Sequence, residues 1–180
     1  MFDGIRPGQL QQKIQTPAFT VNISGQSLEN PIFIQSIVRY FKLHPRVVNK
    51  IAFEISESSQ IRNLAATNTV IQGLREAGHS VCLDDFDIGS SAIQRLRDLQ
   101  VDFVKVDGLH IRQAIESTTD EEKLKAMVGL CDELGVAAVA ERVEDENTVS
   151  FLSNCGFQFG QGYFVGKPRI ISETNSRSLK

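Results

Sequence analysis

The stretch SVCLDDFDIGSSAIQRLRDLQVDFVKVDG, residues 80–108, decides the fold. It opens on a run, Ser80–Phe86, that is apolar until it reaches Asp84 and Asp85. It closes on a second run, Phe103–Gly108, in which Lys105 interrupts the apolar residues. Neither run alternates cleanly with polar residues, which is how strands covered on both faces read. Between them, Ser90 and Ser91 offer a helix start, and Leu96 and Leu99 fall at helical spacing. The whole occupies about thirty residues, the length of one parallel βαβ unit.

The same order repeats on both sides. Upstream lie the β-rich runs Phe19–Ser24 and Lys50–Ser56, and downstream lie Val136–Val143 and Phe159–Val165. Helical patterns fill the intervals. Asn30-Pro31 is a cap followed by a first-turn proline, and Ile34, Ile37, Val38 and Phe41 mark one face. Leu64, Val70, Ile71 and Leu74 mark the next, and a longer helix from near Asp120 carries Leu124, Met127, Val128, Cys131 and Leu134. A last helix spans roughly 145–155. Gly78, Gly135 and Gly156 each close a helix immediately before a strand, where a left-handed residue is needed. These units predict an α/β protein with a parallel sheet, wound by right-handed crossovers into a barrel or an open doubly wound sheet. Residues 1–18 read as an N-terminal remnant or helical lead-in without a strand, residues 19–168 as the domain, and residues 169–180 as a flexible tail.

Composition narrows the function. The 180 residues are 41% hydrophobic and 23% charged, enough for one domain with a real core. A net charge of −3 argues against a broad nucleic-acid surface but leaves room for a small phosphate ligand. Cys82, Cys131 and Cys155 have no zinc-ligand spacing; Cys82 and Cys131 read as buried core residues, and the odd count fits a reducing compartment. No apolar run is long enough for a membrane segment, and the expected location is the cytoplasm. His44, His79 and His110 lie near helix ends or turns and read as surface or capping residues.

Polar residues gather at the C-terminal ends of the expected strands. In order they are Asn22, Glu54 with Glu57, Asp84 with Asp85, Lys105 with Asp107, Glu141 with Glu144, and Gln161. In a parallel barrel all these ends open onto one face, where active sites are built. Singly, each has a plainer explanation as a cap, a turn or a snorkelling lysine. Together, so many carboxylates in one mouth would repel unless cations sat among them, and such oxygen-rich sets suit Mg²⁺ or Mn²⁺.

The same residues carry a family resemblance. VNIS (Val21–Ser24), FEISES (Phe53–Ser58), LDDFDIGSS (Leu83–Ser91), DFVKVDG (Asp102–Gly108), AERVE (Ala140–Glu144) and GQGYFVGKP (Gly160–Pro168) resemble the ordered motifs of EAL domains. The resemblance implies a TIM-type barrel and metal-dependent hydrolysis of one phosphodiester bond of cyclic di-GMP, giving pGpG. It implies that Asn22, Glu54 and Asp84 bind one metal ion, and that Asp84, Asp85 and Glu141 hold a second metal ion or its water. Lys105 would then orient the attacking water, with Glu141 as general base. Glu57 would brace the loop after Asp85, Asp107 would support Lys105, and Glu144 and Gln161 would lie near the site. The metals, rather than arginines, would meet the phosphates.

Three departures from that family pattern set further expectations. No glutamate-bearing strand precedes Phe19, so the barrel is expected to be shortened to about six of eight strands, and the chain to hydrolyse little or no cyclic di-GMP. The loop after Asp85 carries Asp87 and Ile88 where the family usually has glycine and threonine. Arg142 follows Glu141 where the family usually has glycine, and either pairs with it or points outward. The alternative reading is a non-catalytic module that binds cyclic di-GMP or a protein. Under it, homodimers form through the open barrel edge at Phe19–Ser24 or through the loop after Asp85.

Overall fold

In the computed structural model the described residues are 3–4, 19–56 and 63–168. Their strands are β1 (Asp3–Gly4), β2 (Phe19–Ile23), β3 (Ile51–Ser56), β4 (Ser80–Phe86), β5 (Phe103–Val106), β6 (Ala137–Ala140) and β7 (Phe159–Gly160). They form one sheet in the order β1-β7-β6-β5-β4-β3-β2. Strands β2 to β7 are parallel and neighbour one another in chain order, as a barrel built from successive βα units requires. The helices between them are α1 (Gly25–Leu28), α2 (Pro31–Leu43), α3 (Leu64–Glu76), α4 (Ser90–Asp98), α5 (Gly108–Glu116), α6 (Thr118–Leu134) and α7 (Glu146–Asn154).

Local chemistry fixes these boundaries. Asn30 accepts from the amides of Ile32 and Phe33 and starts α2, with Pro31 in its first turn. Gly78, Gly135 and Gly156 have φ of 84°, 72° and 95°, the left-handed turns expected at those three helix ends. The α5 helix was not legible from apolar spacing, because it leaves Leu109 and Ile115 exposed while burying Ile111 and Ala114. It begins because Asp107 accepts from the Leu109 amide at 2.7 Å, which also ends β5 before Gly108.

Alternation along the strands sorts two cores. Phe53, Ile55, Val81, Leu83, Val104, Val106, Ala138 and Ala140 face the helices and join the main cluster. The intervening residues Cys82, Phe103, Ala137, Val139 and Phe159 form a second cluster on the opposite, inner face. Phe86 and Phe103 are fully buried, each contributing about 1.5–3 kcal/mol by leaving water. The candidate site residues Glu54, Asp84 and Lys105 rise from the inner face.

Four expectations need correction. Asp3–Gly4, read as strandless, pairs antiparallel with β7. The last two strands are shorter than their apolar runs: beyond Ala140 and Gly160 the chain stays hydrogen-bonded, Val143 N to Gln161 O and Phe164 N to Val143 O, but as turns rather than a ladder. His79 is 2% exposed rather than on the surface, with its ring centroid 4.0 Å from that of Phe41 and 5.7 Å from that of Phe53. His110 is half-buried and pairs with Asp87 at 2.9 Å, tying the loop after β4 to α5. All three cysteines are free and buried. Glu57, the tail 169–180 and most of residues 1–18 lie outside the described residues.

Candidate functional site

The site is built at the C-terminal ends of the parallel strands. Asn22 and Glu54 are in register on β2 and β3, and Ser56 is in register with Asp84 on β4. Residues in register share a face, so Glu54, Asp84 and Lys105 all rise on the inner face above Cys82 and Phe103. Glu141 follows β6, held by its amide donating to Val106 O at 3.1 Å.

Lys105 is the centre. Its ammonium lies 3.0 Å from Glu54 Oε1, 3.1 Å from Asp84 Oδ1 and 3.5 Å from Glu141 Oε1. Lys105 and Glu54 are both buried. Burial alone would lower the lysine's pKa, but hydrogen bonding and attraction from Glu54, and then Asp84, outweigh it and hold the ammonium charged. Burial raises the Glu141 carboxyl above the ordinary glutamate range. Lys105 opposes that rise, and Asp84 and Asp85 add to it. Burial likewise pushes the Cys82 thiol well up, so beneath this cluster it stays protonated and is no ligand.

A second grouping overlaps the first. One carboxylate oxygen from each of Asp84, Asp85 and Glu141 lies within 4.8 Å of the others. Strict alternation would send Asp84 and Asp85 to opposite faces of β4. Instead the register between β4 and β5 shifts from Leu83 to Phe86, and Asp85 adopts φ 55°. That bulge returns Phe86 to the helix-facing core and leaves both acids at the mouth. An all-oxygen set of this kind fits Mg²⁺ or Mn²⁺.

Beside the acids opens a cleft of about 530 Å³, lined by Glu141, Arg142, Glu144, Gln161, Gly162 and Tyr163. That volume is in the range of small-ligand sites, roughly 300–1,000 Å³. Gly162 is pressed so closely on the Val143 backbone that no Cβ would fit. Glu144 and Gln161 line this cleft as exposed residues, and Asn22 is exposed at its register position beside Glu54. Among the described residues the Asp107 carboxylate caps α5, and Lys105's ion pairs run to the other three acids. Arg142, half expected as a partner of Glu141, makes no ion pair with it among the described residues, and Glu141's pKa is raised rather than lowered. Arg142 and Tyr163 were not among the candidate site residues. The one signal for the arginine was its place where the family usually has glycine, and its φ of 55° explains that preference.

Comparison with known proteins gives this mouth a context. Residues 5–168 match the family model described as EAL domain. The chain is 30% identical over 158 residues to cyclic di-GMP phosphodiesterase PdeB of Shewanella oneidensis, covering 88% of this chain and 18% of that protein. It is 31% identical over 150 residues to cyclic di-GMP phosphodiesterase PA2567 of Pseudomonas aeruginosa, covering 83% and 26%. It therefore spans less than a third of these curated relatives. The EAL domain of Mycobacterium smegmatis DcpA superposes with a TM-score of 0.75 at 28% identity, covering 84% of this chain and 68% of that one. The Xanthomonas citri FimX EAL domain, solved in complex with c-diGMP, gives a TM-score of 0.76 at 21% identity, covering 87% and 63%, which supports the fold alone. A family match that runs from residue 5 through every strand from β2 to β7, on a sheet that superposes as closely as this, makes the chain a member of the EAL domain family.

Proposed function

We propose that residues 19–168 act on cyclic di-GMP at the mouth formed by the strand ends, by metal-dependent hydrolysis to pGpG. The observation that carries this reading is the convergence of Glu54, Asp84 and Glu141 on Lys105 from four different stretches of chain. Asp84, Asp85 and Glu141 would hold a divalent cation, Mg²⁺ or Mn²⁺, with Asn22 and Glu54 nearest any second one. Such a cation lowers the pKa of water and offsets charge on the phosphoryl oxygens. Lys105, held charged by its carboxylates, orients the attacking water or a phosphate oxygen. Glu141, placed at the same cluster, would accept the water's proton. The water oxygen would bond to phosphorus as its proton passes to Glu141, the P–O3′ bond would break, and the leaving 3′-oxygen would take a proton from solvent, giving linear pGpG. Glu144 and Gln161 contact the nucleotide from the cleft wall, while Asp107 acts through α5 and Glu57 braces the loop after Asp85. The three free thiols fit a reducing, cytoplasmic setting.

Turnover is expected to be slow, because Glu54 and Asp84 already neutralise Lys105 rather than standing free for a second cation. Purified protein incubated with cyclic di-GMP and Mn²⁺ should form pGpG slowly, and Glu141→Gln should abolish it. Product formed equally without cation, or unchanged by that substitution, would overturn the assignment.

The sheet edge favours a second reading. β2 is terminal in the described sheet, with Phe19 51% and Val21 43% exposed. Such an edge invites pairing with a second copy, as a non-catalytic cyclic di-GMP-binding or dimerisation module would use it. That reading predicts nucleotide binding by calorimetry without product, and a dimer by light scattering. A clean monomer at high concentration contradicts the dimer.

A further inference from the structure

Arg142 occupies backbone that disfavours any side chain, since its φ of 55° lies in the left-handed region. From there it crosses from the end of β6 to the start of α5. A Cβ on Gly108 would stand 2.7 Å from both Cβ and Cδ of Arg142, so the arginine's aliphatic stem lies on the bare backbone of that glycine. The residue is exposed and lines the cleft with Glu141, Glu144, Gln161 and Tyr163. Among the described residues no hydrogen bond or ion pair engages its guanidinium. Lys105, the other cation at the mouth, is fully engaged by three carboxylates.

The charge balance of the ligand makes this position informative. A cyclic dinucleotide carries two phosphodiester anions into a mouth walled by acids. A cation on Asp84, Asp85 and Glu141 can meet one of them, and the other requires a donor of its own. We propose that Arg142 clasps the phosphate that is not cleaved, through charge-assisted hydrogen bonds from its guanidinium fork. This rests on reading the cleft as a cyclic di-GMP site, and it replaces the expectation that metals alone meet the phosphates. The stem's seat on Gly108 limits its freedom before binding, which lowers the ordering cost. The bonds to the ligand would then offset the backbone strain that the arginine carries and a glycine would not.

The test is calorimetric titration of cyclic di-GMP, in Mn²⁺ and over a range of salt, into the wild type, Arg142→Gly and Arg142→Lys, with melting curves for each. Arg142→Gly should melt at or above the wild type, because glycine accepts φ 55°. It should bind roughly ten- to hundredfold more weakly, the loss expected of charge-assisted bonds. Its affinity should also depend less on salt. Arg142→Lys should fall between, keeping the charge without the fork. Wild-type affinity in Arg142→Gly overturns the proposal. So does weaker binding with an unchanged salt slope, which assigns the arginine to a guanine edge. A wild type that binds no cyclic di-GMP overturns the reading of the cleft itself, and this inference with it.

Discussion

Asp84 and Asp85 are neighbours on one strand, yet both present a carboxylate oxygen to the same cluster. The bulge between Leu83 and Phe86 and the left-handed Asp85 make that possible. Aspartate tolerates such backbone better than most residues, while a β-branched side chain does not. Asp85→Gly should therefore keep or slightly raise thermal stability while weakening Mn²⁺ binding about tenfold or more. Asp85→Val should cost about 1–2 kcal/mol or more in unfolding free energy as well. Equal melting temperatures for the two variants would contradict the assigned backbone role.

Lys105 offsets three acids in a buried setting, so removing its charge leaves them facing one another. Lys105→Met should destabilise the domain by about 3–5 kcal/mol in the presence of a chelator. A melting-temperature loss on the order of 10 °C would correspond to that for a chain of this size. Excess Mn²⁺ should restore part of the loss, because a cation can take the ammonium's place. A variant that melts like the wild type in chelator refutes the buried network.

His79 gives the stability a pH dependence of predictable sign. Burial between Phe41 and Phe53 lowers its pKa below the ordinary 6.5, against a smaller opposing effect of the Ile51 backbone. The unfolded chain therefore takes up the proton first as pH falls. The stability from burying neutral imidazole is present above 6.5 and is lost as pH falls through the depressed folded value. Denaturant midpoints should decline across that window, and His79→Leu should decline less. An equal decline in both proteins would place the effect elsewhere.

Much of this architecture was legible in the chain. The apolar runs around Ile55, Leu83, Val104 and Ala138 gave the parallel strands, because strands covered on both faces need little polar alternation. The glycines at 78, 135 and 156 marked helix ends through a backbone requirement that is local. Convergence of Glu54, Asp84, Lys105 and Glu141 followed from strand ends opening on one side. What could not be read was set by tertiary contact. His79 sits at a helix end and looks like a surface residue until Phe41 covers it. α5 owes its start to one aspartate cap rather than to a periodic apolar face. The reach of Arg142 over Gly108 depends on a dihedral angle that no residue spacing reveals.

Titration of Mn²⁺ into the wild type and into the Asp84→Asn/Glu141→Gln double variant, followed by calorimetry, bears most directly on the convergent mouth. The wild type should bind the ion with saturable heat, and the double variant should lose that heat while retaining its circular dichroism spectrum. Identical Mn²⁺ isotherms for the two proteins, or none in the wild type, would contradict the claim that acids from separate strands assemble one cation site.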